Sequence, residues 1–564
     1  MLRYVPLIFC LISTLLLGLL LPTGKTLVVV AFPLALALSV IGLVDLIQRH
    51  HSLRRNYPIL AHIRFLLEGI RPEIRQYFLE SDTDGLPFNR SKRAVVYQRS
   101  KHQLETRPFG TLQNVYESEF EWLSHSISPA KVKHHDFRVM VGGPQCAQPY
   151  SISLINISAM SFGSLSANAI RALNKGAKMG GFAHDTGEGS ISRYHREHGG
   201  DLIWEIGSGY FGCRTPDGQF SEERFIQNAS NPQVKMIEVK LSQGAKPGHG
   251  GILPGTKVNE EIAATRGVEA GKDCISPASH SAFSTPIELL QFLARLRELS
   301  GGKPVGFKLC IGHRQEFMAI CKAMIDTDIL VDFIVIDGAE GGTGAAPLEF
   351  IDHLGMPLRD GLTFAHNCLI GAGLRDKIKL GASGRIITGF DMARVLALGA
   401  DWCNIARGFM FSLGCIQGLA CHTGRCPSGI ATQDPVRQRA LDVDIKAERV
   451  SRFHEATLKV LAELTGAAGL EHPSEITARH ILLRGSKNDI ISFADLYPRL
   501  APDSLMTNRA DPVYLELWNQ AVAGSFRPVP SPLPVFLDDT VVKDETADAV
   551  PFLRNSPDDL MITP

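Results

Sequence analysis

The chain has 564 residues, enough for roughly three to four domains or for one large barrel with extensions. Its 58 basic and 58 acidic side chains leave no formal net charge, which argues against a generally basic nucleic-acid-binding protein and against an acidic tail protein. Hydrophobic and charged contents of 45% and 21% exclude a wholly disordered chain, and eleven cysteines are too sparse for a disulfide scaffold.

Two apolar runs open the chain. They cover Pro6–Pro22 and Thr26–Gln48, with Arg3 before the first run and a basic segment, 49–55, after the second. Positive charge at both ends favours a hairpin with both ends in the cytoplasm. The pattern therefore predicts a transmembrane helical hairpin over residues 1–50, in the inner (cytoplasmic) membrane, with the catalytic body facing the cytoplasm. A cleaved signal peptide is the alternative.

Strand and helix patterns alternate through the middle of the chain. Residues 51–150 are charge-dense and are predicted to be a lead-in region. From 151 to 440, short Val- and Ile-rich runs alternate with amphipathic segments, which predicts a parallel sheet, and eight such units would close a barrel. The candidate strands are Ser153–Ala159, Gly181–His184, Met236–Leu241, Val305–Leu309, Phe333–Ile336, Ile378–Gly381 and Asp401–Ile405. The clearest candidate helices are Ser166–Lys178, Pro286–Leu299 and Gly389–Leu398.

Glycine-rich loops follow several of these strands, at the end of a barrel where active sites are built. Gly341–Gly344 and Gly381–Gly384 are, on one interpretation, ordinary tight turns. On the other, Gly381–Gly384 and Ala406–Gly408 follow the last two strands, where barrels commonly bind a phosphate. With Lys308 inside the barrel, such a site suits flavin mononucleotide, because a nearby lysine stabilises the reduced flavin ring.

Three cysteines, Cys415, Cys421 and Cys426, fall within twelve residues and are interleaved with glycines. A four-cysteine cluster would need a further ligand, and Cys403 is the nearest cysteine outside the loop. The spacing therefore favours a three-iron cluster. A structural zinc ion with His422 as its fourth ligand, or three unliganded thiols, are the alternatives.

Several segments occur in the order seen in glutamate synthase. They are Ile157–Ser164, Asp185–Gly189, Gln243–Gly248 and Gly341–Ala345, followed by the cysteine loop 415–426. The chain resembles the FMN-binding synthase domain of that family, in its stand-alone, membrane-anchored branch. The resemblance implies an α/β fold, a (β/α)8 TIM barrel that binds FMN and a [3Fe-4S] cluster. It also implies reductive amination of 2-oxoglutarate to glutamate through 2-iminoglutarate.

The resemblance further implies individual site residues. The cluster ligands would be Cys415, Cys421 and Cys426. Glu188 and Lys246 would be catalytic, and Lys246, Arg266 and Gln243 would bind the substrate. The residues around FMN would be Met160, Ser161, Ser208, Lys308, Gly342, Gly384 and Gly408. Two other interpretations stay open: Glu188 binds a loop amide, or Arg266 is a surface cation.

The sequence departs from the family pattern in ways that bear on substrates. A glutamine of the family motif is Ile252 here and a glutamate is His249, which leaves the exact 2-oxo acid open. Met1-Leu2 leads into an apolar segment rather than a catalytic cysteine, so ammonia is expected from outside. No strand is followed by G-x-G-x-x-G, so electrons are expected from a separate ferredoxin or NAD(P)H-oxidising subunit. No nucleic-acid partner is expected, and the resemblance allows a homo-oligomer.

The last part of the chain is expected to cover the barrel. Residues 441–524 are predicted to be helical, with one helix ending at Gly466 and a second starting at Ser474. Residues 525–564 are predicted to be a Pro-rich, acidic, extended tail. Two other functions stay open for the whole chain. One is an N-methylglutamate-type synthase that uses an alkylamine, and the other is a membrane flavin and Fe–S electron-transfer subunit without its own substrate.

Overall fold

A computed structural model describes residues 2–486 and 489–528. Most of the predicted tail, from residue 529 onward, lies outside the described residues. The chain divides into two compact units, one ending at Ser81 and one beginning at Asp82.

The N-terminal unit contains the two apolar runs as helices, Val5–Leu20 and Thr26–Ile47. Gly24, with a left-handed φ of 65°, turns the chain between them, and the hydroxyls of Thr14 and Ser39 approach to 2.9 Å across the pair. With the turn Leu21–Thr23 included in the first, the two segments have 19 and 22 residues and mean hydropathies of 2.4 and 2.8. Both are long and apolar enough to cross a membrane, and most of their side chains are exposed.

Shorter helices follow in the same unit. They are Ser52–Asn56, Leu60–Ile74 and a π-helical turn at Arg75–Leu79. Asp45, the one acid of the second apolar helix, is buried and accepts hydrogen bonds from His62 Nε2, at 2.9 Å, and from the backbone N–H of Ile59. The polar side chain is thus satisfied within the unit.

The larger unit is built on a closed barrel of eight parallel strands, which confirms the predicted fold class. Neighbouring strands pair in chain order, and the last pairs with the first. The strands are β1 (Ile155–Ile157), β2 (His184–Asp185), β3 (Leu202–Ile206), β4 (Val234–Lys240), β5 (Val305–Leu309), β6 (Phe333–Asp337), β7 (Lys379–Ser383) and β8 (Trp402–Ile405).

Strand β3 is the one barrel strand that the apolar pattern did not predict. Its segment Leu-Ile-Trp-Glu-Ile carries an acid where a buried strand is expected to be apolar. In the structure all five residues are buried: Trp204 stacks on Phe225 from the next helix, while Glu205 pairs in register with Glu238 of β4. The sequence pattern therefore missed β3 because it contains Glu205, a charged residue whose partners come from other strands of the barrel.

Helices surround the barrel, and the connection between β4 and β5, residues 241–304, is the longest. That connection also holds a small hairpin of Ile252–Leu253 and Cys274–Ile275. The helices of this unit are Arg90–Ser100, Ala167–Gly180, Arg193–Arg196, Glu222–Ala229, Glu260–Arg266, Pro286–Leu299, Arg314–Thr327, Leu348–His353, Leu358–Gly371, Gly389–Ala397, Arg407–Leu413, Pro435–Arg439, Val443–Ala467, Phe493–Leu496 and Pro512–Gln520.

The long helix Val443–Ala467 packs on the barrel helix Ala167–Gly180. The close approach is at Gly176, where a Cβ atom would lie 2.5 Å from the side chain of Val450. Phe453 of the same helix is buried and meets the ring of Phe409 edge-on at 5.3 Å. The apolar side chains Val450 and Phe453 of this helix therefore face the helices that surround the barrel.

The second helix predicted from Ser474 is wrong. The segment forms two short 3-10 turns, Pro473–Glu475 and Ala478–His480, and then the strand Ile481–Arg484. That apolar strand pairs antiparallel with Glu121–Leu123 and with Ile490–Ser492, so tertiary pairing decided its conformation. One further hairpin, of Arg138–Val141 and Tyr150–Ser153, precedes β1.

Candidate active site

An ion pair between Glu188 and Lys240 lies at the carboxyl end of the barrel. Glu188 follows β2, Lys240 ends β4, and Glu188 Oε1 is 2.8 Å from Lys240 Nζ. The carboxyl group is packed against backbone: Cβ atoms at Gly207 and Gly251 would lie 2.6 and 2.9 Å from its oxygens. Only glycines leave room for the carboxylate in this position.

Burial by itself would raise the pKa of Glu188, but the charges of Lys240, Arg266 and Lys246 outweigh it and lower this pKa to about 2. Glu188 is therefore a carboxylate at neutral pH. The pKa of Lys246 is lowered, first by burial, and the charge of Glu188 opposes that shift.

A narrow cavity opens beside this pair. It brings together Ser208 and Gln243, two of the residues that the resemblance singled out, with Glu188, Lys240 and His249. Lys246 Nζ donates to the carbonyl of Gly250 at 2.6 Å, in the loop that forms one wall. None of the described residues that line the cavity is a cysteine.

Arg266 is buried, so the surface-cation interpretation is wrong. It ends the helix Glu260–Arg266, which Asn259 caps, and its Nη2 donates to Ser161 Oγ at 3.3 Å and to the carbonyl of Phe162 at 3.1 Å. A Cβ atom at Gly189 would lie 2.9 Å from the same nitrogen. Arg266 thus joins the loops that follow β1 and β2.

The two residues that depart from the family pattern lie by the same cavity wall. His249 Nδ1 lies 2.9 Å from the carbonyl oxygen of Gly250, and its ring meets Phe350 edge-on at 5.3 Å. Ile252 is 36% exposed and pairs with Ile275 in the small hairpin. His249 lines the cavity, whereas Ile252 and Phe350 lie beside its loop without lining it.

Loops after β6, β7 and β8 converge on a second part of the mouth. Arg407 Nη2 donates to the carbonyl of Glu340 at 2.7 Å, and a Cβ atom at Gly342 would lie 3.5 Å from Arg407 Nη1. Burial and the positive charge of Arg385 lower the pKa of Arg407 to about 10. Two neighbouring guanidinium groups between glycine loops suit a phosphate group, as FMN would bring.

The remaining residues predicted for FMN lie around the mouth or inside the barrel. Met160 and Ser161 follow β1 and are buried, Gly384 lies in the loop after β7, and Gly408 lies in the first turn of the helix Arg407–Leu413 that follows β8. Lys308, in β5, points into the barrel, where its ammonium contacts Glu205 and lies 3.5 Å from Glu238 Oε1. The donor set fits a flavin: cations, a lysine below the mouth and glycines that bring the backbone close.

The cysteine loop follows the helix Arg407–Leu413. Tyr97 Oη donates to the carbonyl of Cys415 at 2.5 Å, Lys257 Nζ donates to the carbonyl of Cys421 at 2.8 Å, and Cys426 is buried. The backbone N–H of Gln417 lies 3.4 Å from Cys415 Sγ. Burial raises the pKa of Cys415 to about 11, so the group is a thiol at neutral pH, and a metal ion bound there would displace its proton.

The three thiols are neighbours, because Cys421 and Cys426 both add to the effect of burial and raise the pKa of Cys415 through their charges. Cys403, the nearest other cysteine in sequence, is buried in β8.

Lys240 is the site residue that the sequence analysis missed. A charged residue at the carboxyl end of a candidate barrel strand was the available signal, because such positions face the active site in barrels. The segment Ala406–Gly408 was predicted to lie at the phosphate site, but the approach of Arg385 to Arg407 was missed. Their role depends on two loops meeting, which no local pattern shows.

Comparisons with known proteins show which family the chain is similar to. The family model described as a conserved region in glutamate synthase matches residues 117–471. The chain is 37% identical over 508 residues to the glutamate synthase large subunit-like protein YerD of Bacillus subtilis, covering 83% of this chain and 96% of that protein. It is 36% identical over 368 residues to the archaeal glutamate synthase (NADPH) of Methanocaldococcus jannaschii, covering 65% of this chain and 68% of that protein. Together with the closed barrel, these similarities show that the chain belongs to the glutamate synthase family.

Proposed function

We propose that this oxidoreductase forms glutamate by reductive amination of 2-oxoglutarate through 2-iminoglutarate, with free ammonia as the nitrogen donor. The observation that carries the proposal is the Glu188–Lys240 ion pair at the barrel mouth, with the charges of Lys246 and Arg266 acting on Glu188. Three cations face one carboxylate there. The excess positive charge suits a dicarboxylate substrate.

The ion pair also suits the proton transfers of imine formation. Glu188 remains a carboxylate, so it can hold an ammonium or iminium group, while the ammonium of Lys240 can donate a proton to the departing carbonyl oxygen. Lys246 and Arg266 would bind the substrate carboxylates, with Gln243 beside them. Reduced FMN, when bound, would supply the hydride that converts the imine to the amine.

We propose that Met160, Ser161, Ser208, Lys308, Gly342, Gly384 and Gly408 surround FMN, and that Arg385 and Arg407 bind its phosphate. Cys415, Cys421 and Cys426 would hold a [3Fe-4S] cluster that receives electrons from a separate donor. Three cysteines without a fourth in the loop support a three-iron cluster, because a four-iron cluster needs four thiolates.

We further propose that the two apolar helices anchor the protein in the cytoplasmic membrane as a hairpin, with the barrel on the cytoplasmic side. The support is their length, their hydropathy and their exposed apolar side chains, among them Leu15, Leu19 and Leu27 at 68%, 72% and 81% exposed. Exposed apolar surface of this extent is unfavourable in water and favourable in lipid. We keep the predicted organisation as part of the proposal: hairpin 1–50, lead-in 51–150, synthase domain 151–440, cover 441–524 and tail 525–564.

The test is glutamate formation by the purified full-length chain with a chemical reductant, 2-oxoglutarate and either ammonium or glutamine. We expect glutamate with ammonium, because an amide nitrogen must first be released by acyl transfer. Lys246→Ala should lower kcat/KM by about ten- to a hundredfold, as expected for one charge-assisted contact. Equal rates with glutamine would refute the choice of ammonia. Absence of turnover, with no bleaching of the flavin by glutamate, would favour the electron-transfer subunit.

A second candidate is an N-methylglutamate-type synthase, which the apolar flank of Ile252 and the His249–Phe350 contact favour. Measured rates with methylamine and ammonium decide between the two. Ile252→Gln should shift the preference toward ammonium if the aliphatic side chain selects the amine, and should leave the ratio unchanged if it does not.

A further inference from the structure

Four ionisable side chains meet inside the barrel, below the proposed flavin site. They are Asp185 of β2, Glu205 of β3, Glu238 of β4 and Lys308 of β5, one from each of four consecutive strands. Oxygen atoms of the three acids lie within 4.8 Å of one another, and all four side chains are at most 5% exposed. If every group were ionised, the cluster would carry two uncompensated negative charges.

Hydrogen bonding within the cluster is uneven. Lys308 Nζ contacts Glu205 directly and lies 3.5 Å from Glu238 Oε1. Among the described residues, Glu238 Oε2 and Asp185 Oδ2 are buried without a hydrogen-bond partner, and Glu238 Oε1 has only the 3.5 Å approach of Lys308 Nζ. Asp185 Oδ1 accepts a hydrogen bond from the backbone N–H of Gly187 at 3.0 Å. Glu205 is therefore paired closely with the Lys308 ammonium, Glu238 is paired only weakly, and Asp185 is not paired with it.

Burial of two unpaired carboxylates is so unfavourable that such groups take up protons instead. We infer that Asp185 and Glu238 are carboxylic acids at neutral pH and that Glu205 is the carboxylate that pairs with the Lys308 ammonium. The cluster is then neutral and stores two protons beneath the flavin site. Its charge is independent of whether the proposed reaction is correct.

The charges that surround these acids also favour their protonated forms. Burial, followed by the charge of Glu205, raises the pKa of Asp185 to about 8, with Lys308 and the more distant Lys240 opposing. Burial and then Asp185 raise the pKa of Glu238 well above its usual range. Asp337, at the end of β6, adds a further negative charge near Lys308.

The charge of this cluster affects the proposed flavin site. When Asp185 and Glu238 are protonated, the Lys308 ammonium is positioned by one carboxylate, that of Glu205. Loss of a proton from either acid would add a negative charge there. Asp185 and Glu238 are thus positioning residues. Their protonation determines the net charge around Lys308, and Lys308 is the residue proposed to lie next to the cofactor.

Difference infrared spectroscopy of the holoprotein tests the assignment, because the C=O stretch of a protonated carboxylic acid is separate from carboxylate bands and shifts in D2O. Glu238→Gln should lose one such band relative to wild type. Lys308→Met should gain one, because Glu205 without its cation takes up a proton. Glu349→Gln, on the exposed helix Leu348–His353, is the control and should change neither.

The wild-type protein provides a measurement that needs no variant. The acid band should persist at neutral pH and decrease as the pH rises through about 8, the value expected for Asp185. Absence of any such band near pH 7 would overturn the assignment, as would one equivalent of a divalent cation that is found in the wild-type protein and lost in Glu238→Gln. So would a folded Lys308→Met protein without the added band.

Discussion

Gly344 lies against the backbone of His422. A Cβ atom on Gly344 would be 3.0 Å from the His422 nitrogen and 3.2 Å from the carbonyl carbon of Cys421. The glycine loop after β6, which also carries Gly342, therefore contacts the cysteine loop directly. This contact joins the proposed flavin site to the proposed cluster site.

We expect Gly344→Ala to move the two loops apart by a few tenths of an ångström, because the added methyl group meets backbone rather than a flexible side chain. Flavin content should stay near that of wild type, while the rate of flavin reduction by the electron donor falls. Gly312→Ala is the matched control, since a Cβ atom there meets nothing within 4 Å. Stopped-flow flavin absorbance measures the rate, and equal rates for both variants would show that the contact is not on the electron route.

Lys240→Met should impair catalysis more than Lys246→Ala. Removing the closest cation leaves the buried Glu188 carboxylate with weaker compensation, so its pKa rises from about 2 toward and beyond the usual range. The acidic limb of the kcat/KM profile should then move to higher pH. Lys272→Met, which removes an exposed cation beside Glu269, is the control. A pH profile that keeps its shape with Lys240→Met would contradict the role of the ion pair.

Asp185→Asn should change how stability depends on pH. In the unfolded chain Asp185 has a pKa near 3.9, and in the folded chain about 8. The folded state thus binds the extra proton, so its stabilisation is complete below about pH 4 and is lost as the pH rises to about 8. The slope is about 1.4 kcal/mol per pH unit for one proton. The urea midpoint of Asp185→Asn should fall less between pH 5 and 8 than that of wild type, and parallel curves would refute the shifted pKa.

Cys421→Ser should remove the iron. The wild-type protein is expected to contain about three irons per chain with matching acid-labile sulfide, following the three-thiolate argument. Cys146→Ser, a half-buried cysteine outside the loop, should keep both. Zinc in place of iron, at one equivalent, would refute the cluster and restore the structural-zinc alternative.

Deleting residues 1–81 should release a soluble barrel that retains flavin. The cut follows the boundary between the two compact units at Ser81. A cut after residue 50 would separate Asp45 from His62 and would keep the helix Leu60–Ile74, whose side chains Leu66 and Leu67 are exposed. Sedimentation of the full-length and shortened chains from lysed cells, with and without detergent, measures the anchoring. A full-length chain that stays in the supernatant without detergent would contradict the membrane proposal.

Local patterns predicted most of the architecture. The Val- and Ile-rich runs identified the barrel strands other than β3, because burial of both faces of a parallel strand leaves a nearly continuous apolar segment. The length and hydropathy of the two N-terminal runs predicted their helices. The glycine and cysteine motifs, taken in their order along the chain, were sufficient to identify the family.

Side-chain partners were decided by the tertiary structure. Lys308 was expected near the flavin, but its partners Glu205 and Glu238 come from two other strands. One of these is β3, which the apolar pattern did not predict because it contains Glu205. Arg266 at a helix end has no local sign of burial, and the partnership of Glu188 with Lys240 joins two strand ends across the mouth. Periodicity and motif order are properties of neighbouring residues, so the sequence alone determined the barrel and the family. Ionisation and pairing depend on which charges the closed barrel brings within a few ångströms, and only the folded chain determines that.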